Sequence, residues 1–362
     1  MYLKFYDEDA VYTQVIFDQF KKSFSLSSSE GIFLECEKYL ELDNEYNPQD
    51  YCFEIFYASA LNRENDIFQV YDKQEDVRLG WIFPIQSLVS DSHDYADNIY
   101  FLKYAYVASY LLLNNIAEEN KTNSSEFLKL TDFYPEGAVI FVMSKSNCNR
   151  IRQFCIWDYI ADLFGYGYFC VPGFMDSEKN FHADKRINIR RISKDVTNKI
   201  FIEEVFKNLL VQTALLPLAK FHMLYQVIEL LIGDIFSYEF IGFSQKIGQD
   251  TNNLFDMKDD LQKITGEKYR VKELFHHTYS NLDSVLKEKL MDACNEILKA
   301  SDKKVKTDAG DSLYSVRCLV FHNYGSIPSE ARNILADINL VFEKIVIELL
   351  ATFHMPESEK GE

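Results

Sequence analysis

Basic charge is scarce in this chain of 362 residues: 38 lysines and arginines stand against 56 aspartates and glutamates, a net charge of −18. Acids outnumber bases in both halves of the sequence. A global positive field, the usual means of holding nucleic acid nonspecifically, is therefore excluded, and any polyanion must be met by a local patch or groove. Glycine (13) and proline (7) are also few, which disfavours turn-rich sandwiches and low-complexity disorder. The seven cysteines are odd in number and include no CxxC pair, so neither a disulfide framework nor a zinc knuckle is expected. The most apolar stretch, Ile99–Leu113, is short for a membrane span and contains Lys103. The opening "MYLKFYDEDAVY" has neither the basic nor the apolar segment of a secretory signal. No P-loop, GxSxG or HExxH pattern occurs, and the His276–His277 pair, with no cysteine nearby, is not expected to hold a metal. The expectation is a protein of the reducing cytoplasm, with no membrane partner, no metal and no cofactor.

What is present is apolar and aromatic: 47% hydrophobic residues, with 23 tyrosines and 29 phenylalanines. The length suggests two domains, and the fold class read from the pattern is α+β. Residues 1–180 mix signals. "YCFEIFYASAL" and "DIFQVYDKQEDVRLGWIFPI" read as paired strands, about 98–117 as a buried helix, and "GAVIFVMS" as a buried strand. "NCNRIRQFCIWDYIADLF" follows at helical spacing, and "GYGYFCVPGF" returns to strand and turn. Residues 181–199 read as a basic linker, with Arg190, Arg191 and Lys194 as candidate phosphate contacts. From 200 to 357 helical signals dominate and predict an all-α bundle. Ser280 or Asn281 is expected to cap one of its helices, and Asp311 or Ser312 the helix that ends at Gly325.

That last helix, "DSLYSVRCLVFHNYG", carries the chemistry. Leu313, Val316 and Val320 form an inward stripe, while Arg317 and His322 lie five positions apart, about 140° around the axis and roughly 7.5 Å along it. Both border one groove without stacking. His322 sits in the last turn, where the helix dipole favours positive charge, and imidazole suits proton transfer near neutral pH. Arginine is permanently charged and forked, and suits a phosphate. RNA brings its own nucleophile, the 2′-OH, so cleavage requires only a base, an acid and a cation beside the phosphorane. One Arg–His pair falls short of that set; two pairs across a two-fold interface complete it. Glu229, acidic among apolar neighbours, is expected to pair with Arg317, and Tyr225, one turn earlier, to join the same network.

The R-x4-H motif of Arg317–His322, inside an all-α bundle and followed by "NILADINLVFEKIVIELL", resembles the HEPN superfamily. "LLPLAKFHMLYQVIELL" is similar to the Tyr- and Glu-bearing helix of its abortive-infection and Apea-like branch. The resemblance spans about 200–355. It implies a homodimer that cleaves RNA without metal, as a toxin or effector in bacterial antiphage defence. In that picture His322 is the acid/base, Arg317 the phosphate clamp and Asn323 a polar support, and residues 1–180 serve as a sensor or regulatory domain. A phage or antitoxin protein is the implied further partner. Where the family commonly has Asn, Asp or His after the arginine, this chain has Cys318, a weak hydrogen-bonding substitute. The alternative is a noncatalytic dimerisation or nucleotide-binding module within a partner-protein complex.

Overall fold

A computed structural model describes residues 3–4, 11–18, 23–28, 33–35, 48–58, 64–88, 93–95, 98–115, 128–129, 133–135, 137–172, 185–247 and 254–356. The protein is α+β, with a strand-containing N-terminal region and an all-helical C-terminal one. It divides into two compact units, Met1–Ile156 with Tyr166–Arg190, and Trp157–Gly165 with Arg191–Glu362.

In the first unit, β1 (Leu3–Lys4), β2 (Val11–Asp18), β3 (Ser23–Ser28) and β4 (Phe33–Glu35) form an antiparallel run. The second sheet contains β5 (Tyr51–Ala58), β6 (Phe68–Asp72) and β7 (Val77–Pro84). Helix α1 (Ile99–Asn114) follows, then β8 (Leu128–Lys129), which pairs with β2, and β9 (Ala138–Ser144). A single turn, α2 (Lys145–Cys148), and the strands β10 (Tyr168–Phe169) and β11 (Arg186–Ile189) complete the unit. The second sheet has the order β10-β5-β9-β7-β6-β11 among the described residues. Strands β6 and β7 form a hairpin, while β5, expected to pair with the stretch that holds them, pairs with β9 and β10 instead. Strand β9 is apolar at successive positions and buried from Ala138 to Met143, so it takes the place between β5 and β7, where both faces are covered. Helix α1 supplies one cover, laying Phe101, Ala105 and Ala108 against Trp81, Phe83, Ile140 and Val142.

Gly80 on β7 faces Met143 across the ladder. A Cβ there would fall 1.8 Å from the Val142 carbonyl oxygen, so only glycine permits this approach. Gly80→Ala is expected to cost about 1–3 kcal/mol through forced strand separation, read as a lower denaturant midpoint with unchanged slope.

Two sequence expectations are corrected here. The helix predicted over 147–164 is broken: α2 ends at Cys148, and Gln153 takes a left-handed φ of 55°. The chain resumes as a 3₁₀ turn, Ile156–Tyr159, and α3 (Ile160–Gly165). Residues 157–165 belong to the helical unit, where Phe164 meets Phe206 edge-on at 5.3 Å. The linker predicted over 181–199 contains β11, which pairs in parallel with β6 because Ile187 and Ile189 alternate inward; residues 181–184 lie outside the described residues.

The second unit continues with α4 (Lys199–Glu204), a π-helical turn (Val205–Leu209), α5 (Leu210–Thr213) and the 31-residue α6 (Pro217–Ile247). Then come α7 (Leu254–Thr265), α8 (Glu267–Leu274), α9 (Ser284–Ala300), α10 (Ala309–Asn323) and α11 (Ile334–Thr352). Helix α6 buries Phe221, Leu224, Tyr225, Ile228, Leu231, Ile232 and Ile235, a helical period that faces α8 and α11. The caps differ from those predicted. Asp283, not Ser280 or Asn281, accepts from the backbone of Val285 and Leu286. Asp308, not Asp311 or Ser312, caps α10 by accepting from Asp311 N. In each case the carboxylate lies one residue before the helix, where unpaired N–H groups converge on it. No helix among the described residues is long and apolar enough to cross a membrane.

Candidate functional site on the Arg317–His322 helix

Helix α10 packs against α8 and α9. Its approach to α8 is close because Gly310 has no side chain: a Cβ there would meet Lys272 Cα and Val271 O, each at 3.0 Å. Leu313, Val316 and Val320 are buried, as the stripe predicts. Arg317 is thereby turned toward α6 and the first turn of α8.

Three groups surround its guanidinium. Nε lies 3.3 Å from Glu267 Oε1, and Nη2 lies 3.5 Å from Glu229 Oε1. The third nitrogen, Nη1, is 3.2 Å from His322 Nε2. The five-residue spacing predicted neighbours along a groove; the length of the arginine side chain closes the remaining gap into a direct contact. A guanidinium has no acceptor, so a hydrogen bond in this contact has Arg317 donating to His322 Nε2. Tyr225, fully buried, donates its hydroxyl to Glu267 Oε1 at 3.0 Å. Burial, reinforced by that carboxyl, pushes the Tyr225 hydroxyl far above its ordinary range and keeps it a donor. For Arg317, burial alone would weaken the charge, but the neighbouring Glu267, with Tyr225 and Glu229, outweighs it and raises the pKa.

The rings of Phe321 and Tyr225 lie 4.9 and 5.6 Å from the guanidinium carbon, so the cation sits among aromatic groups as well as acids. His222, on α6, stacks on Phe321 at 4.7 Å. The sequence pairing of Glu229 with Arg317 is present, and Gln226 Nε2 holds the other oxygen of Glu229 at 2.9 Å.

Other predicted residues fall elsewhere. Asn323 is exposed at the helix end and its side chain bonds to neither Arg317 nor His322; its carbonyl accepts from Ser326. Cys318 is engaged with Tyr314, one turn back, and that hydrogen bond, followed by burial, raises the tyrosine pKa. Arg190 ends the first unit and Arg191 opens the second. The stretch that carries Lys194 is tied to the helical unit by its backbone: Ile192 N donates to Asp158 O and Ser193 N to Leu350 O. Thr197 Oγ1 donates to Asp234 at 2.7 Å, and Met355 N to Asp195 at 2.9 Å. This stretch is anchored backbone, not a free basic arm.

Glu267 was missed. It opens α8, within a segment from Leu254 to Leu274 that the sequence reading passed over. The alternation in "LFDMKDDLQKITGEKYRVKEL" was the available signal, with Gly266 dividing two short helices.

A separate cleft of about 390 Å³, lined by Tyr238, Glu239, Phe243, Lys246, Lys263 and Tyr269 among others, contains none of this cluster. Glu239 Oε1 accepts from Tyr279 at 3.0 Å and Tyr269 at 3.4 Å, while its second oxygen is buried without a hydrogen bond. Burial raises this carboxyl above its ordinary range, with the tyrosine bonds opposing. The folded state therefore favours the protonated acid, and stability is lost as pH rises from the unfolded pKa, about 4.3, through the raised one. Glu239→Gln is expected to melt higher than wild type at neutral pH, with the difference vanishing in acid.

Comparison with protein-family models, curated proteins and solved structures finds no match.

Proposed function

We propose that the helical unit is a metal-independent endoribonuclease module that works as a homodimer. The observation that carries this reading is the 3.2 Å contact between Arg317 and His322 at the end of α10. A neutral imidazole can take the 2′-OH proton; the same residue of a second copy, once protonated, can deliver one to the leaving oxygen. The guanidinium lies beside it as the cation for a phosphorane, and Asn323 is an exposed donor at the same helix end. A supporting feature is the helix face on which the cluster sits. Leu218, His222, Tyr225 and Glu229 follow one another at helical spacing on α6, and Leu215, Leu216 and Leu218 at its start are exposed. A second copy covering these leucines would bring two Arg–His pairs near one another.

The resemblance of the Arg317–His322 motif to HEPN proteins supports a role for this activity in bacterial defence. The protein would be a cytoplasmic effector cutting RNA, restrained by the first unit until a phage or antitoxin protein alters it. Purified protein incubated with total RNA and EDTA is expected to release fragments with cyclic phosphate ends; intact RNA across a titration of protein would overturn the nuclease reading.

One observation favours a second reading. Two carboxyl groups, Glu229 and Glu267, engage the one guanidinium, so with both ionised the cluster is net negative and any phosphate must displace one of them. A noncatalytic dimerisation or nucleotide-binding module fits that arrangement. It predicts intact RNA together with a stable dimer, or saturable binding of a mononucleotide.

A further inference from the structure

Glu229 and Glu267 both approach the Arg317 guanidinium, but they are held there in different ways. Glu267 is the first residue of α8, where unpaired backbone N–H groups favour a carboxylate. Its Oε1, 3.3 Å from Arg317 Nε, also accepts the Tyr225 hydroxyl at 3.0 Å. Tyr225 is fully buried and stacks on Phe221, equally buried, so this anchor is locked by close packing. Glu229 is held more loosely. Its Oε2 accepts from Gln226, one turn back on the same helix, and its side chain is 34% exposed against 26% for Glu267. Its Oε1 lies 3.5 Å from Nη2, long for a hydrogen bond between charged groups.

The three nitrogens of the guanidinium also face different partners. Nη1 meets His322 Nε2 at 3.2 Å, and its neighbour in the fork, Nη2, meets Glu229. Glu267 stands on Nε, the nitrogen nearest the arginine's own stem. The acid that shares the His322 end of the fork is therefore the loosely held one.

We propose that Glu229 is a built-in stand-in for phosphate: its carboxylate keeps the place on Nη2 that a phosphodiester oxygen takes, and it turns out to solvent when the phosphate binds. Glu267 stays as the fixed counter-ion that aims the guanidinium. This rests on Arg317 meeting a phosphate, which the nuclease and nucleotide-binding readings share. The exchange is one anion for another, since carboxylate and phosphate both present paired oxygens to the arginine fork. Once Glu229 has left, a phosphate on Nη1 and Nη2 lies directly beside His322. Departure of one acid also relieves the repulsion among two carboxylates and a phosphate around a single cation. In the empty site Glu229 keeps the charge of Arg317 matched between the rings of Phe321 and Tyr225.

The test reads binding by the full chain rather than cleavage. A fluorescein-labelled single-stranded 2′-O-methyl oligonucleotide lacks the nucleophile and stays intact, and its affinity is followed by anisotropy at fixed salt. Glu229→Gln keeps the shape, removes the charge, and is expected to bind about tenfold tighter than wild type, the worth of a hydrogen bond to a charged group. Glu267→Gln makes the same change in net charge. It is expected to gain less, because the amide still accepts from Tyr225 and Glu229 still covers Nη2. Tighter binding is a gain that a merely destabilised variant does not produce. Unchanged or weaker binding by Glu229→Gln would overturn the proposal, as would an equal or larger gain in Glu267→Gln. Tighter binding by Glu229→Gln together with intact RNA in the cleavage assay would remove the nuclease reading alone.

Discussion

His322→Ala is expected to slow RNA cleavage by about 10²–10⁴-fold, the ordinary worth of a positioned acid or base, while leaving the melting temperature nearly unchanged. The second half of that expectation follows from exposure. His322 lies on the surface at the end of α10 and, among the described residues, its side chain bonds to Arg317, so truncation opens no cavity. Arg317→Lys is the sharper companion. It keeps the positive charge but loses the fork that reaches Glu267, Glu229 and His322 together. If the arginine clamps a phosphate, lysine should fall by about 10²–10³-fold, the loss typical of one electrostatic donor at a transition state. Single-turnover cleavage, with a melt on the same preparations, separates the outcomes. Retention of wild-type cleavage by His322→Ala would end the nuclease reading, and equal losses of stability and cleavage would mark the pair as structural.

Glu343→Ala is expected to cost about 3–5 kcal/mol, the usual consequence of leaving one partner of a buried ion pair alone. Lys220 of α6 and Glu343 of α11 are both more than nine-tenths buried, with Nζ and Oε2 2.9 Å apart. The approach is not aligned as a hydrogen bond to Oε2, so charge more than directionality holds the two helices here. Asn339, one turn earlier on α11, donates to the Pro217 carbonyl at 2.8 Å and ties the same junction. Removing the carboxyl strands an ammonium among apolar residues. The double change Lys220→Met with Glu343→Leu is expected to recover most of that loss, since the hydrophobic pair incurs no desolvation. Denaturant unfolding of the three variants measures both, and additive losses in the double variant would refute the coupling.

The sequence made much of the second unit legible and less of the first. Along α6 and α11 nearly every third or fourth residue is apolar, so the helices announce themselves, and Asn98, whose carboxamide caps α1, marks that helix too. The order of the sheet was harder to read. Which strand is central depends on β9 being covered on both faces, and the hairpin-like sequence around Asn62–Asn65 suggested a pairing that the burial of β9 overrode. The helix predicted over 147–164 failed because its apolar residues serve two units: Ile151 is buried in the first, while Tyr159, Ile160, Leu163 and Phe164 are buried in the second. A periodic pattern does not record which core each residue enters.

By itself the sequence determined the α+β class, the helix carrying Arg317 and His322, and the pairing of Glu229 with that arginine. These rest on local spacing and on the high cost of an unpartnered charge among apolar neighbours. Only the tertiary structure decided that Glu267 is the second acid on the guanidinium and that the basic stretch after Arg190 is anchored backbone. Each of these is a contact between residues far apart along the chain, fixed by how helices and strands pack, and such contacts leave no periodic trace in a single sequence.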